Sequence, residues 1–128
     1  MSYISDELPE FSIDEENGII RIDGMSLMDV AKEFYVPLIE EVKNYIDTSP
    51  VKVDIFINLQ YFNTPSSKYI LEMLKMFVPL HDEGCKILVH WYFEEDDEDM
   101  HEAGVDFNAL VSIPFELIPT TFVRKDKL

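Results

Sequence analysis

The sequence predicts a single α/β domain with a mixed sheet of about five strands, an N-terminal hairpin, and helices packed unequally on the sheet's two faces. Strand patterns alternate with helix patterns along the chain, which is typical of parallel strands joined by right-handed crossovers. Near the N-terminus, Asn17 and Gly18 separate two apolar runs and favour a hairpin turn, because both residues accept positive φ. A length of 128 residues corresponds to one domain over 1–128.

The first elements are a hairpin over residues 10–24 and a long helix. Gly24 is expected to end the second strand of the hairpin. Ser26 followed by Asp29 resembles a helix-capping arrangement, and apolar residues recur at helical spacing after it. Because Pro37 lies inside this pattern, the sequence predicts either a kinked helix or two segments.

The central strand has the clearest pattern in the chain. Apolar residues alternate with mostly polar ones over 51–59, as expected for a strand with one face in the core. A polar second face implies that the helices cover the sheet unequally. A second helix follows the strand; Pro79 is expected to kink or shorten it, and Gly84 marks the next turn.

The last elements flank an acidic run. A buried strand is predicted over 85–93, followed by the acidic run 94–99 and a short helix. A final strand is predicted over 113–118, where Pro114 favours an edge or strand-start position. Residues 120–128 are expected to form a loose tail.

Composition excludes several classes of function. The formal net charge of −16 repels nucleic acid and anionic membrane, and it suits partners with basic surfaces. Cys85 is the single cysteine, so no disulfide forms within the chain and no cysteine zinc site is available. The chain shows neither a basic-then-apolar leader nor an apolar run that spans a bilayer, so we expect a cytoplasmic protein.

The first candidate site is the turn over 61–68, which joins the central strand to the second helix. We expect Thr64 to be the N-cap and Pro65 the first helical residue, an arrangement worth about 1 kcal/mol as a structural cap. The other interpretation is a phospho-acceptor threonine at the positive end of a helix, with the two serines and the lysine of the turn as donors. Pattern alone favours the cap, and Pro65 removes one backbone donor. The turn lacks the glycines of a nucleotide-binding loop.

The second candidate site is the acidic run 94–99. Its carboxylates suit Mg²⁺ or Ca²⁺, and together with His101 they suggest a metal-dependent hydrolase as the alternative function. A calcium loop does not fit, because Met100 stands where the sharp turn needs glycine. The other interpretations are a solvated acidic face at a helix N-terminus and an electrostatic contact for a basic partner.

Three ordered motifs resemble the SiaC family of bacterial regulatory phosphoproteins. They are the 61–68 turn, the segment 91–100 with Trp91-Tyr92-Phe93 before its acidic residues, and Gly104-x-Asp106-Phe107. The helix around Phe34-Tyr35-x-Pro37 is also similar to that family's first helix. The resemblance covers nearly the whole chain. The sequence departs from the family pattern at Pro65, where serine is more usual, and at 27–29, where Pro-Glu-Asn often begins the first helix.

The resemblance implies a fold like the STAS-type anti-sigma-factor antagonists and a non-enzymatic signalling role without a cofactor. In this family a cognate serine/threonine protein kinase phosphorylates a threonine in the strand-to-helix turn, and a PP2C-type phosphatase removes the phosphate. The unphosphorylated form binds and activates a diguanylate cyclase, which links the family to cyclic di-GMP regulation and biofilm formation. By position, the acceptor in this chain is Thr64.

The resemblance also implies a partner-binding surface centred on Thr64. Its expected members lie in the turn, the following helix and the acidic run: Tyr61, Phe62, Asn63, Pro65, Ser66, Ser67, Lys68, Tyr69, Met73, Asp97 and Asp99. Met73 has a second interpretation, because a methionine beside an apolar helical stripe is often part of the core.

Overall fold

The structure, a computed structural model, describes residues 9–26 and 31–121. Its elements in chain order are β1 (Glu10–Asp14), β2 (Ile19–Ser26), α1 (Ala31–Ile46), β3 (Lys52–Phe62), α2 (Thr64–Lys75), α3 (Val78–Asp82), β4 (Lys86–Glu94), α4 (Glu98–Leu110) and β5 (Phe115–Thr120). The strands form one sheet in the order β1-β2-β3-β4-β5. β1 pairs antiparallel with β2, and the other neighbours are parallel. The predicted α/β class and mixed five-stranded sheet are confirmed.

The core lies on one face of the sheet. Ile20, Ile55 and Val89 occupy paired positions on three neighbouring strands, and all three are 0% exposed. Their chain neighbours Phe56 and His90 point to the opposite face, because successive side chains of a strand alternate, and they remain partly exposed. The helices contribute their buried residues to the first face, so the unequal covering predicted from the central strand is confirmed.

β2 continues past Gly24, which corrects the prediction that this glycine ends the strand. Gly24 has a φ of 113°, and the pairing of β2 with β3 shifts its register between Gly24 and Met25. Gln60 of β3 is the extra residue of this bulge, and glycine accepts the positive φ beside it without ending the pairing. As a result β2 reaches Ser26, which pairs with Phe62 at the end of β3.

α1 is one helix that contains Pro37, so the alternative of two segments is wrong. Five residues at helical spacing are buried on its inner side: Ala31, Tyr35, Leu38, Val42 and Tyr45. Their packing stabilises the helix enough to offset the backbone hydrogen bond that a proline lacks. Asp29 of the predicted capping pair lies outside the described residues, and Ser26 ends β2 with a buried side chain.

The helical region after β3 is divided in two. α2 ends at Lys75, and Pro79 lies in the first turn of α3, where the missing N–H breaks no helical hydrogen bond. The prediction that Pro79 shortens the helix is therefore confirmed. No helix within the described ranges has the length and apolar character needed to cross a bilayer.

Trp91 joins β4 to α4 and supports the end of β3. Its ring is fully buried, and Nε1 donates a hydrogen bond to the Met100 carbonyl at 3.0 Å, the partner that a buried indole needs. The ring also meets Phe107 and Phe62 edge-on, with centroid distances of 5.3 and 6.1 Å. This aromatic cluster holds Phe62, the last residue of β3, which lies just before the start of α2.

Candidate functional site

The 61–68 turn lies at the carboxyl ends of the parallel strands, along one edge of the sheet. β3 ends at Phe62, α2 begins at Thr64, and the end of β2 lies alongside at Ser26. β4 ends at this same edge, and the acidic run follows it. Binding sites of α/β proteins commonly form at this edge, where loops and helix N-termini meet.

Asn63, not Thr64, is the N-cap of α2. The Asn63 side chain accepts a hydrogen bond from the Ser66 amide at 3.1 Å, and its backbone is extended. Thr64 is the first helical residue, so Pro65 takes the second position, which also needs no backbone donor. The predicted cap was wrong by one residue because asparagine is as good a cap as any and the strand extends far enough to present it.

Thr64 is exposed at the start of α2, and it is not needed for the helix cap. Tyr61 is 52% exposed on the strand side of the turn, and Lys68 is exposed one helical turn along α2. Ser67 donates its hydroxyl to the Thr64 carbonyl at 2.9 Å. The turn therefore exposes a threonine hydroxyl, an aromatic ring and a lysine.

Ser66 does not belong to this surface, which corrects its predicted role as a partner contact and phosphate donor. The residue is 0% exposed, and its Oγ lies 2.7 Å from the Ser26 Oγ. The Ser26 Oγ lies 2.7 Å from the Tyr35 hydroxyl as well. Burial raises the pKa of Tyr35, while the hydrogen bonds with the two serines act in the opposite direction.

The Ser26 and Tyr35 hydroxyls are site residues that sequence reasoning missed. Ser26 was interpreted as a helix cap, and Tyr35 entered only as part of a family motif. The available signal was positional, since a serine that ends a strand parallel to β3 lies beside the start of α2. That signal could be used only if β2 continued beyond Gly24, whereas the glycine was expected to end the strand.

Met73 also lies inside the protein, so its predicted place on the partner surface is wrong. It is 0% exposed and packs in the core with Ile70 and Leu74. Tyr69 is partly buried, and its ring stacks on Tyr35 with centroids 5.6 Å apart. Phe62 is also partly buried. The exposed residues of the predicted surface are therefore Tyr61, Thr64, Pro65, Lys68 and Asp99, beside the partly exposed Phe62, Asn63, Ser67, Tyr69 and Asp97.

The acidic run begins α4. The Asp97 carboxylate accepts a hydrogen bond from the Met100 amide at 3.0 Å as the N-cap, and Glu98 and Asp99 follow in the first turn. His101 packs its ring edge-on against Phe93. Within residues 9–26 and 31–121, no group of three or more His, Cys, Asp or Glu side chains is arranged to hold a metal ion. The Asp97 cap places the acidic run at a helix N-terminus, as one of its predicted interpretations requires.

A family model described as the SiaC family regulatory phosphoprotein matches residues 4–120. The chain belongs to the SiaC family. An uncharacterized protein of Pseudomonas aeruginosa strain UCBPP-PA14 is 22% identical over 109 residues, which cover 85% of this chain and 86% of the relative. The predicted resemblance is thus confirmed by a match along nearly the whole chain.

Solved SiaC structures have the same fold as this chain. SiaC from Pseudomonas aeruginosa, in complex with the diguanylate cyclase SiaD that it activates, superposes with a TM-score of 0.84 at 21% identity, over 91% of this chain and 95% of that chain. Apo-SiaC from the same organism gives a TM-score of 0.80 at 21% identity, over 89% of this chain and 93% of that chain. At this identity the likeness establishes the fold that this member shares with SiaC.

Proposed function

We propose that this SiaC-family protein activates a diguanylate cyclase and that phosphorylation of Thr64 switches this binding off. The observation that carries the proposal is the position of Thr64, an exposed hydroxyl at the first residue of α2 that the helix cap does not use. A kinase can reach such a hydroxyl without unfolding the domain. Family membership and the fold shared with cyclase-bound SiaC support the partner class.

The fold tolerates a phosphate at this position. A phosphothreonine brings a charge of about −1.5 to −2 at pH 7. The partial positive charge at the start of α2 stabilises such a charge by roughly 0.3–1 kcal/mol at an exposed site. Lys68 lies four residues further along the helix, within reach of the added phosphate. A protein serine/threonine kinase and a PP2C-type phosphatase would therefore interconvert two folded states.

The same phosphate opposes a partner that packs on the turn. Tyr61 is one of the few large apolar side chains with more than half of its surface exposed in the described ranges, and it lies three residues from Thr64. A partner that covers this ring also removes water from the neighbouring threonine. A neutral hydroxyl tolerates that change, whereas a phosphate dianion loses hydration that Lys68 alone only partly replaces. The unmodified form is therefore the binding form.

The acidic start of α4 favours a partner with a basic surface. The chain carries a net charge of −16, and α4 begins at the same edge of the sheet as the Thr64 turn. Asp97 is occupied as a helix cap, whereas Asp99 is exposed. We assign Asp99 to long-range attraction of the cyclase, which raises the association rate at low salt.

Substitution of Thr64 tests the proposal. Thr64→Ala keeps a small uncharged side chain and is expected to bind the cognate diguanylate cyclase within about threefold of the parent affinity, a difference under about 0.7 kcal/mol. Thr64→Asp places a carboxylate at the same position and is expected to weaken binding roughly tenfold or more, about 1.4 kcal/mol. Isothermal titration calorimetry measures both affinities.

Asn108→Asp is the matched control, because it adds the same charge at an exposed position near the end of α4. It is expected to leave the affinity unchanged. Equal affinities for the parent, Thr64→Ala and Thr64→Asp would contradict a switch at this residue.

A further inference from the structure

Three buried hydroxyls lie beneath the Thr64 turn, and the switch described above does not use them. Ser26 ends β2, Tyr35 lies in α1 and Ser66 lies in the first turn of α2, so each comes from a different element. All three residues are 0% exposed. We call them the hydroxyl triad. A buried hydroxyl is unfavourable unless it is hydrogen-bonded, so the three hydroxyls need hydrogen-bond partners inside the protein.

The hydrogen bonds of the triad form a chain in which each proton is used once. The Ser66 hydroxyl donates to the Ser26 carbonyl at 3.3 Å, and the Ser26 hydroxyl donates to the Ser66 Oγ at 2.7 Å. Tyr35 is then the donor to the Ser26 Oγ, also at 2.7 Å. A phenol is protonated at neutral pH, and burial raises the pKa of Tyr35 further, so its hydroxyl is able to donate. Removal of any one hydroxyl therefore leaves a neighbour without its partner.

Ser26 also holds the cap of α2. Its carbonyl accepts the amide of Asn63 at 3.0 Å, in addition to the Ser66 hydroxyl. The Asn63 side chain in turn accepts the Ser66 amide. Thr64 lies between these two residues, both of which are fixed to the end of β2. A change at Thr64 therefore acts on a backbone segment whose flanking residues, Asn63 and Ser66, are both hydrogen-bonded to Ser26.

Tyr35 extends this connection into α1. Its ring lies parallel to the Tyr69 ring of α2, with an angle of 6° between the planes, and Phe34 packs on it edge-on at 4.9 Å. The start of α2 thus contacts the same tyrosine through the triad, and the next turn of α2 contacts it through a stacked ring. A displacement of the α2 start must stretch the triad or move Tyr35 with it.

We propose that the hydroxyl triad transmits the state of Thr64 to α1, so that a phosphate at the turn also alters the surface of α1. A phosphothreonine is attracted by the partial positive charge at the start of α2 and by the Lys68 ammonium, and this attraction shifts the segment held by Ser26. Ser26, Tyr35 and Ser66 are positioning residues in this scheme. That phosphorylation of Thr64 is the natural trigger rests on the proposed function. The coupling between Thr64 and α1 can be measured without any partner.

Amide chemical shifts of ¹⁵N-labelled protein test the coupling. Phosphothreonine is installed at Thr64 during translation, and the shift changes are compared in the parent, Tyr35→Phe and Tyr69→Phe. Tyr69→Phe is the matched control, because it removes a phenol oxygen from the stacked partner ring and leaves the triad intact. We expect the changes to spread to α1 in the parent and in Tyr69→Phe. In Tyr35→Phe, which keeps the stacked ring but loses the hydrogen bond to Ser26, we expect the α1 changes to be reduced.

Equal α1 shift changes in Tyr35→Phe and in the parent would overturn the proposal, as would the absence of α1 changes in the parent. Tyr35→Phe retains the buried ring, and a thermal melt confirms that it folds. Ser66→Ala provides a second break in the triad and is expected to give the same reduction of the α1 response. If phosphorylation left the cyclase affinity unchanged while the α1 response was intact, the proposed function alone would be contradicted. A retained binding switch without any α1 response would overturn the role of the triad alone.

Discussion

Replacement of Trp91 by alanine is expected to lower the free energy of unfolding by about 3–5 kcal/mol. The ring is fully buried, packs against Phe107 and Phe62, and donates its N–H to the Met100 carbonyl. Alanine would leave a cavity between β4 and α4 and remove the indole hydrogen bond to the Met100 carbonyl. Because domains are stable by only about 5–15 kcal/mol, urea denaturation should show a large shift of the midpoint.

Trp91→Phe separates the two parts of this effect. It keeps an aromatic ring and removes the hydrogen bond to Met100, so we expect an intermediate loss of about 1–3 kcal/mol. Tyr61→Ala removes an exposed ring and is expected to change stability by no more than about 0.5 kcal/mol. A Trp91→Ala loss no larger than that of Tyr61→Ala would contradict the central place of Trp91 in the core.

Gly104→Ala is expected to destabilise the protein by about 1–3 kcal/mol, although alanine has the higher helix propensity. A Cβ at this position would lie 2.6 Å from Cδ1 and 2.7 Å from Nε1 of Trp91, and 2.8 Å from Cδ2 of Leu117. Trp91 is fully buried and hydrogen-bonded, so it cannot move aside without breaking its contact with Met100. Glycine is needed here because α4 packs directly on the indole ring.

Val105→Ala is the control for Gly104, since it is a partly exposed position on the same helix. Its expected effect on urea denaturation is within about 0.5 kcal/mol. A Gly104→Ala protein as stable as the parent would show that α4 can shift away from β4 without loss. That result would contradict the close packing described here.

The sheet was predictable because its strands obey a simple rule. The alternation over 51–59 becomes the buried and partly exposed faces of β3, and the order of strand and helix patterns gives parallel neighbours. Met73 could also have been placed correctly, because it lies three residues after Ile70 on the buried side of α2. The elements with regular periodicity were therefore the ones that local reasoning described best.

The cap and the triad depend on contacts between distant residues. Asn63 and Thr64 are both acceptable caps, and the amide of Asn63 is held by the Ser26 carbonyl, far away in the sequence. The register shift between Gly24 and Met25 brings Ser26 to that position. No periodicity in the chain indicates these contacts, so Ser66 was expected on the surface when its hydroxyl is in fact buried.

The family motifs divide into two physical roles. Trp91, Gly104 and Phe107 form one packing unit between β4 and α4 and explain why those residues occur together. The exposed residues of the 61–68 turn take little part in that packing, with Thr64 outside the cap and Tyr61 half exposed. Packing therefore accounts for the first group, whereas a partner surface is the proposal that accounts for the second.

A titration of the cognate diguanylate cyclase with unmodified and Thr64-phosphorylated protein tests whether phosphorylation of Thr64 weakens cyclase binding. The unmodified protein is predicted to bind and to raise cyclase activity. The phosphorylated protein is predicted to bind at least roughly tenfold more weakly, about 1.4 kcal/mol, and to regain full affinity after treatment with a PP2C-type phosphatase. Equal affinity and equal activation by the two forms would contradict a phosphorylation switch at Thr64.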